Sequence, residues 1–356
     1  MNLKKRIERQ IMTQVNQNCI EGTAFVATGN GKVELRKIHI NQPGEWDLLL
    51  KLESSAVSMG TESYIIANMV KPEQPAITGY APIARVEAVG EKAKEFFKPG
   101  DRVTYFAPEL SLEGYPNYCG SCQSPALINV NPQSRDLLGP DRYCVKVPET
   151  LSSEKAAFSG IAAVSSMGAT MPGTKPGDKV LVLGQGLIGQ FAAQHFRLHG
   201  AEVAVSDINP ERLAASTACG ADHVINAAEQ DTVEALRSIW KDGADIVADT
   251  TGSCRIIEAT IGTLRKRGRY VFLGWCKGTE FELFKLQGQN AFEAFFPWTL
   301  EGAHVEHSLR MIDAGAIKVE PLITHRPDYT EAAEMYDTII NSPEKCLGVV
   351  FDWTTA

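Results

Sequence analysis

The sequence lacks any apolar run approaching the roughly 18–20 residues that a bilayer-spanning helix requires, so no membrane partner is expected. It also lacks a positive balance. Lys and Arg number 35 against 43 Asp and Glu, a net charge of −8. Without a basic footprint, a nucleic-acid partner is not expected either. Lys4, Lys5, Arg6 and Arg9 lie near the start, but no apolar core follows them, so the segment does not read as a secretory signal. Residues 1–21 read instead as an N-terminal extension, frayed or a short surface helix. No internal repeat and no low-complexity tract interrupts the chain. The eight cysteines are scattered. With no secretory context they are expected as reduced thiols in a cytoplasmic protein. Only Cys119-Gly-Ser-Cys122 has ligand-like spacing. Residues 123–142 add no Cys or His, so this pair cannot close a four-ligand zinc site locally.

What is present is a dinucleotide motif in its structural setting. Val180-Leu-Val-Leu183 is a short continuous apolar run, the mark of a buried parallel strand. Gly184-Gln-Gly-Leu-Ile-Gly189 follows and fits G-x-G-x-x-G. The first glycine permits the tight turn, the second lets backbone approach a pyrophosphate, and Gly189 lets the next helix pack on the strand. Leu187 and Ile188 open that helix, whose unpaired N–H groups face the phosphates. A second strand, Glu202-Val-Ala-Val-Ser206, ends at Asp207. A carboxylate there accepts from the adenosine ribose hydroxyls and repels a 2′-phosphate, so NAD is the expected cofactor. Further cofactor contacts are expected where later strands end, at Thr250, Gly252, Gly274 and Trp275.

Length and patterning organise the rest. At about 150 residues per domain, 356 residues suggest two. Residues 22–152 are strand-like and punctuated by turns such as Gly29-Asn-Gly31 and Lys98-Pro-Gly-Asp101. Residues 153–298 alternate strands with helices, which predicts an α/β fold with a doubly wound parallel sheet. The predicted strands are Val180–Leu183, Glu202–Ser206, His223–Ile225, Ile246–Asp249 and Tyr270–Leu273, with helical patterns at Leu187–Leu198 and Glu211–Ala218. Residues 299–356 are expected to rejoin the first block as one catalytic domain. Residues 153–298 would then be an inserted nucleotide domain, with a cleft between the two.

The order of Lys98-Pro-Gly-Asp-Arg-Val103, Val147–Phe158, Lys175–Gly189 and Pro321–Arg326 resembles the medium-chain dehydrogenase/reductases, the alcohol and polyol dehydrogenase relatives. The resemblance covers about residues 22–352. It implies a GroES-like β-rich domain, a Rossmann domain, and a homodimer or higher homo-oligomer. The departures from the family bear on the chemistry. Zinc-dependent members carry Cys-Gly-Thr-Asp where this chain has Met59-Gly60-Thr61-Glu62, and Gly-His-Glu where it has Gly79-Tyr80-Ala81. The third ligand position falls near Ser159–Ile161. Methionine, tyrosine and isoleucine do not form a three-ligand catalytic zinc site. The chain is therefore similar to the zinc-less branch that contains bacteriochlorophyllide and several sugar or cyclitol dehydrogenases.

Without zinc to stabilise an alkoxide, a placed proton acceptor carries more of the reaction. Tyr80 occupies the position of a ligand histidine, and its hydroxyl is the first candidate. The resemblance implies that Thr61 is the relay hydroxyl and that Tyr64 stands where some members keep a relay histidine. Glu62 is expected either as base or as a support for Tyr80 or a sugar hydroxyl. Glu301, His304 and His307 share one helix side, where a solvated face is the commoner explanation. Phe292, Phe295, Phe296 and Trp298 form an aromatic cluster expected in a core, an oligomer interface or the pocket wall. The expected function is oxidation of a secondary alcohol, a small sugar, cyclitol or polyol, to a ketone, or the reverse. The alternatives are an enoyl or quinone reductase and a non-catalytic NAD sensor.

Overall fold

The computed structural model describes residues 19–106, 108–116, 120–133, 143–275, 291–297 and 301–356. Most of the N-terminal extension, Cys119, Cys276 and Trp298 lie outside the described residues. The described residues fall into two compact units. One lies within Met1–Ser159, Glu301–Leu309 and Thr324–Ala356, the other within Gly160–Leu300 and Arg310–Ile323.

The first unit opens with the hairpin β1 (Ile20–Gly29) and β2 (Lys32–Ile40), paired antiparallel with Phe25 opposite Leu35. The turn demands left-handed backbone at Gly29, Asn30 and Gly31, with φ of 91°, 54° and 74°, which glycine and asparagine tolerate best. Side chains alternate along a strand, and β1 uses both faces. Phe25 and Ala27 enter one core, while Ala24 and Val26 enter another. Next come β3 (Asp47–Ala56), the short helix α1 (Thr61–Tyr64), β4 (Ala76–Ile77), β5 (Ala81–Val89) and β6 (Arg102–Tyr105). Three short strands follow, β7 (Gln123–Ser124), β8 (Ala126–Asn129) and β9 (Cys144–Lys146), and then the one-turn helix α2 (Ser153–Ala156), capped by the Ser152 hydroxyl.

The second unit begins with α3 (Ser159–Thr170) and alternates β10 (Lys179–Leu183), α4 (Leu187–Leu198), β11 (Glu202–Asp207), α5 (Pro210–Cys219), β12 (His223–Asn226), α6 (Thr232–Ile239), β13 (Ala244–Asp249), α7 (Cys254–Thr260), β14 (Leu264–Phe272) and β15 (Glu293–Phe295). The sheet runs β12-β11-β10-β13-β14-β15, with every pair parallel. This is the doubly wound order of a Rossmann domain. Its strands are apolar on both faces because helices cover both faces: Val180, Leu181 and Val182 are all fully buried. The sixth strand was not expected. It contains Phe295, while Phe296 just beyond it stacks on Phe272 at 4.7 Å and remains largely exposed.

The chain then forms α8 (Gly302–Asp313), β16 (Ile323–His325), α9 (Ala332–Asn341) and β17 (Gly348–Asp352). Residues 310–323 pack with the second unit, where the Gln194 side chain bonds the Lys318 backbone in both directions, at 2.7 and 3.1 Å. In the first unit, one sheet is β2-β1-β4 with β7 also on β1. The other is β16-β17-β3-β5-β6-β9 with β8 also on β3. This is the GroES-like β-rich architecture implied by the motifs. Its core centres on Phe25, whose ring lies 4.4 Å from Trp353 and 4.9 Å from Phe351. Fully burying such side chains contributes roughly 1.5–3 kcal/mol each.

Candidate active site

The second unit carries the glycine turn that the sequence marks as a dinucleotide cradle. Gly184 follows β10 with φ +83°, and a Cβ there would meet Thr251 Cγ2 at 2.8 Å and Thr250 Oγ1 at 2.9 Å. A Cβ on Gly189 would strike the Gly184 carbonyl oxygen. The helix therefore packs on the turn as closely as the motif requires. Gly186 differs: it caps α4, and nothing lies within 4 Å of a Cβ built on it. That open space at a helix N-terminus fits a pyrophosphate. Leu187 is buried, and the Ile188 carbonyl accepts from the Ser165 hydroxyl at 3.0 Å, fixing the first turn of α4.

Asp207 ends β11 beside this turn. Its Oδ2 accepts from the Gln185 N–H at 2.6 Å and its Oδ1 from the Asn209 N–H at 2.8 Å. A carboxylate has about four acceptor sites, so both oxygens retain capacity for a ribose diol. Sequence reasoning missed this second task, which is to tie the glycine turn to β11. The Thr250 hydroxyl donates to the Leu183 and Gly184 carbonyls, 2.9 Å each, so Thr250 braces the cradle from beneath. The Gly252 N–H donates to Asp249 at 3.0 Å. Burial raises the Asp249 carboxyl, opposed by the Thr251 hydroxyl and the Thr251 and Gly252 amides. A Cβ on Gly274 would strike the Gly252 backbone, so those two loops are in close contact, while Trp275 beyond them is 37% exposed. Gln185 was also missed. Its buried amide donates to the Gly184 carbonyl at 2.9 Å and accepts from Ser216 at 3.0 Å.

The hydroxyl-bearing residues lie in the first unit. Thr61 starts α1 and Tyr64 ends it, both half-buried. Tyr80 is half-buried and meets Phe106 edge-on at 5.8 Å. Phe106 in turn stacks on Tyr143 at 6.1 Å. The preceding residue, Gly79, has φ +110°, and a Cβ on it would strike the Cys122 sulfur. Glycine is thus required one residue before Tyr80. Glu62, next to Thr61, is only 5% exposed. Its carboxylate accepts from the Tyr336 hydroxyl, from the Ser58 N–H at 3.3 Å and from the Gly79 N–H. Burial drives the carboxyl up to about 7, and these three donors pull it down.

Tyr336 was not anticipated. It sits on the apolar stripe of α9 with Ala332, Met335 and Ile339, spacing that in the sequence alone reads as core. Cys122 belongs to the same core. Its thiol donates to the Ser55 hydroxyl at 3.3 Å, and burial raises it well above the ordinary value. Ser55 also accepts from Trp353 Nε1 at 3.0 Å.

The positions that the resemblance assigns to zinc hold a half-buried methionine, Met59, the phenol Tyr80 and the buried alkyl group of Ile161. That donor set does not fit a tetrahedral zinc. Among the described residues, no group of three or more His, Cys, Asp or Glu converges as a metal site. On α8, His304 is half-buried and His307 exposed.

Residues 188–297 match the family described as zinc-binding dehydrogenase. That stretch contains none of Met59, Tyr80 and Ile161. Escherichia coli (strain K12) YdjJ, described as an uncharacterized zinc-type alcohol dehydrogenase-like protein, is 27% identical over 329 residues, covering 88% of this chain and 93% of its own. Human sorbitol dehydrogenase is 26% identical over 333 residues, covering 88% and 92%. The 2-desacetyl-2-hydroxyethyl bacteriochlorophyllide A dehydrogenase of Cereibacter sphaeroides is 27% identical over 340 residues, covering 93% and 98%. Among solved structures, ECK1772 from Escherichia coli, an oxidoreductase/dehydrogenase of unknown specificity, superposes with a TM-score of 0.81 at 23% identity, covering 94% and 99%. A Sinorhizobium meliloti 1021 protein solved with NADP gives 0.78 at 21%, covering 94% and 99%.

The relatives matched along nearly the whole chain are oxidoreductases of the alcohol and sorbitol dehydrogenase kind. The medium-chain, alcohol dehydrogenase-like resemblance read from the motifs holds against these relatives along nearly the whole chain, and the family model adds to it over residues 188–297.

Proposed function

We propose that the protein is an NAD-dependent, zinc-independent dehydrogenase that interconverts a secondary alcohol, of sugar, cyclitol or polyol type, and its ketone. The observation that carries this reading is the open space at Gly186, with the Asp207 carboxylate bonded to the neighbouring Gln185 amide. Gly184, Gly186, Leu187, Ile188 and Gly189 would hold the pyrophosphate. Asp207 would hold the adenosine ribose, and its charge disfavours a 2′-phosphate. Gly252, Gly274 and Trp275 are assigned to the flanks of the dinucleotide, with Thr250 bracing the turn. When bound, NAD supplies the two-electron acceptor for alcohol oxidation.

The protein's own residues would orient the substrate and move its proton. Tyr80 is proposed to hydrogen-bond the reacting oxygen, taking its proton in oxidation as the Tyr80 hydroxyl proton passes to the relay and on to solvent, with the reverse transfers in reduction, and with Thr61 as a second hydroxyl on the same oxygen. Tyr64 is assigned to the onward relay. Glu62, buried and bonded to Tyr336, supports this arrangement rather than meeting solvent. The Met59, Tyr80 and Ile161 side chains support a mechanism without zinc, and the sorbitol and bacteriochlorophyllide dehydrogenase relatives support an alcohol substrate.

The test is a panel of sugars, cyclitols and polyols with NAD and with NADP, before and after exhaustive chelation, followed by nicotinamide absorbance. Turnover of a secondary alcohol with NAD that survives chelation is expected. Turnover of an enoyl or quinone substrate alone, or NADH binding with no turnover of any kind, would replace this reading.

A further inference from the structure

Glu62 occupies an unusual place among the residues assigned above. Its backbone is continuous with Thr61, and its carboxylate accepts from the N–H of Gly79, the residue before Tyr80. One buried carboxylate therefore joins the two segments that carry the proposed substrate-facing hydroxyls. Its remaining partners come from elsewhere: the Ser58 N–H, at 3.3 Å, and the Tyr336 hydroxyl on α9.

Tyr336 is itself held firmly. Its ring is fully buried, stacked on Phe351 at 5.7 Å and edge-on to Phe25 at 6.0 Å. Helix α9 follows a capping box in which the Asp328 side chain and Glu331 satisfy each other's backbone, a reciprocal arrangement that fixes a helix entry. The Tyr336 hydroxyl thus arrives from a fixed position and restrains the buried Glu62 carboxylate that it bonds.

We propose that Tyr336 and Glu62 form a positioning pair. The Tyr336 hydroxyl fixes the Glu62 carboxylate, which in turn sets the spacing between the Thr61 segment and the Gly79–Tyr80 turn. The inference deepens the assignment of Tyr80 and Thr61 to the substrate oxygen and rests on it for its kinetic consequence. Tyr336 touches no reacting atom. Its effect passes through Glu62 and the Gly79 amide, and small misplacements of a reacting group are expensive: about 1 Å can cost roughly a hundredfold in rate.

The test uses the full-length protein carrying fluorotyrosine at position 80, with Tyr336→Phe and Glu62→Gln as the perturbations. Both variants keep side-chain shape, so the second serves if the first does not fold. The fluorine resonance at position 80 is expected to shift in each variant. In the unlabelled proteins, Tyr336→Phe is expected to lower kcat roughly ten- to a hundredfold, with NADH affinity unchanged. The loss should largely vanish in the Tyr80→Phe background, because positioning a hydroxyl that is absent has no value. An unmoved fluorine resonance in folded variants would overturn the pair. So would effects of Tyr336→Phe and Tyr80→Phe that simply multiply. If the unmodified protein turns over no alcohol, the dehydrogenase reading fails by itself, and the fluorine measurement still decides the positioning.

Discussion

Replacing Glu62 by glutamine should change how stability depends on pH, and the size of the change follows from the burial of the carboxyl. Burial lifts it from the ordinary 4.5 to about 7, even against donation from Tyr336, Ser58 and Gly79. An acid that binds its proton more tightly in the folded state stabilises that state when protonated. The stabilisation is complete below the unfolded value and is lost as pH rises through the folded one. At about 1.4 kcal/mol for each tenfold in proton affinity, the contribution is roughly 3 kcal/mol, lost mostly between about pH 5 and 8. The titratable neighbours do not blur this window, because Cys122, Tyr336 and Tyr105 are all pushed well above their ordinary values and remain neutral. Carboxyls held low by partners, such as Glu53, act in the opposite sense at more acidic pH. The difference between the unmodified protein and Glu62→Gln therefore isolates the group. Urea unfolding across this range can be followed by tryptophan fluorescence, to which the fully buried Trp353 contributes. Relative to the unmodified protein, Glu62→Gln should gain about 2–3 kcal/mol as pH rises from about 5 to 8. Infrared difference spectra should show the carbonyl band of a protonated carboxylic acid that the variant lacks. A stability difference that stays constant across the window would refute the raised carboxyl.

Four further outcomes follow. Gly186→Val should abolish NADH binding and leave the fold intact, because its side chain enters the space where no atom lies within 4 Å; unchanged NADH affinity by calorimetry would make the cradle a structural turn only. Asp207→Ser should narrow the preference for NAD over NADP and also lower stability by about 1–3 kcal/mol, since the Gln185 and Asn209 amides lose their acceptor; equal NADH and NADPH affinity in the unmodified protein would contradict the assignment. Tyr80→Phe should lower kcat by roughly a hundredfold with little effect on NADH binding, whereas a merely packing ring predicts a change within a few-fold. Exhaustive chelation should leave turnover intact, and stoichiometric zinc whose removal stops the reaction would end the metal-free mechanism.

The nucleotide unit was legible in the sequence because its signals are local. Continuous apolar runs, the glycine turn and Asp207 each report on a few neighbouring residues, and the strands appear at or within two residues of the positions those runs mark, except that β14 begins six residues earlier, at Leu264. β15 was hidden because it is three residues long and aromatic, which reads as a cluster rather than a strand. The side proposed to face the substrate was legible only in part. Met59 and Tyr80 stand out against the family pattern because they replace metal ligands. Tyr336 lies 274 residues from Glu62, and a tyrosine on a helix's apolar stripe looks like any other core residue. Nothing in a single sequence reports that its hydroxyl meets a buried carboxyl. The double duty of Asp207 escaped for the same reason, since its bond to Gln185 spans 22 residues and depends on how two parallel strands end together.

The interleaving of the two units has a consequence for synthesis on the ribosome. In the larger sheet of the first unit, β17 pairs with β3, so a strand made early waits for one made at Gly348–Asp352. The second unit waits as well, because the Gln194 amide finds its partner only at Lys318. Each unit is therefore completed only after most of the other has been made, although domains generally fold as units in the order they are made. Until β17 is made, the Ser54–Ala56 end of β3 lacks that neighbour, leaving the kind of edge that recruits other strands. A protein built this way depends on whatever shields nascent chains more than one whose domains lie end to end.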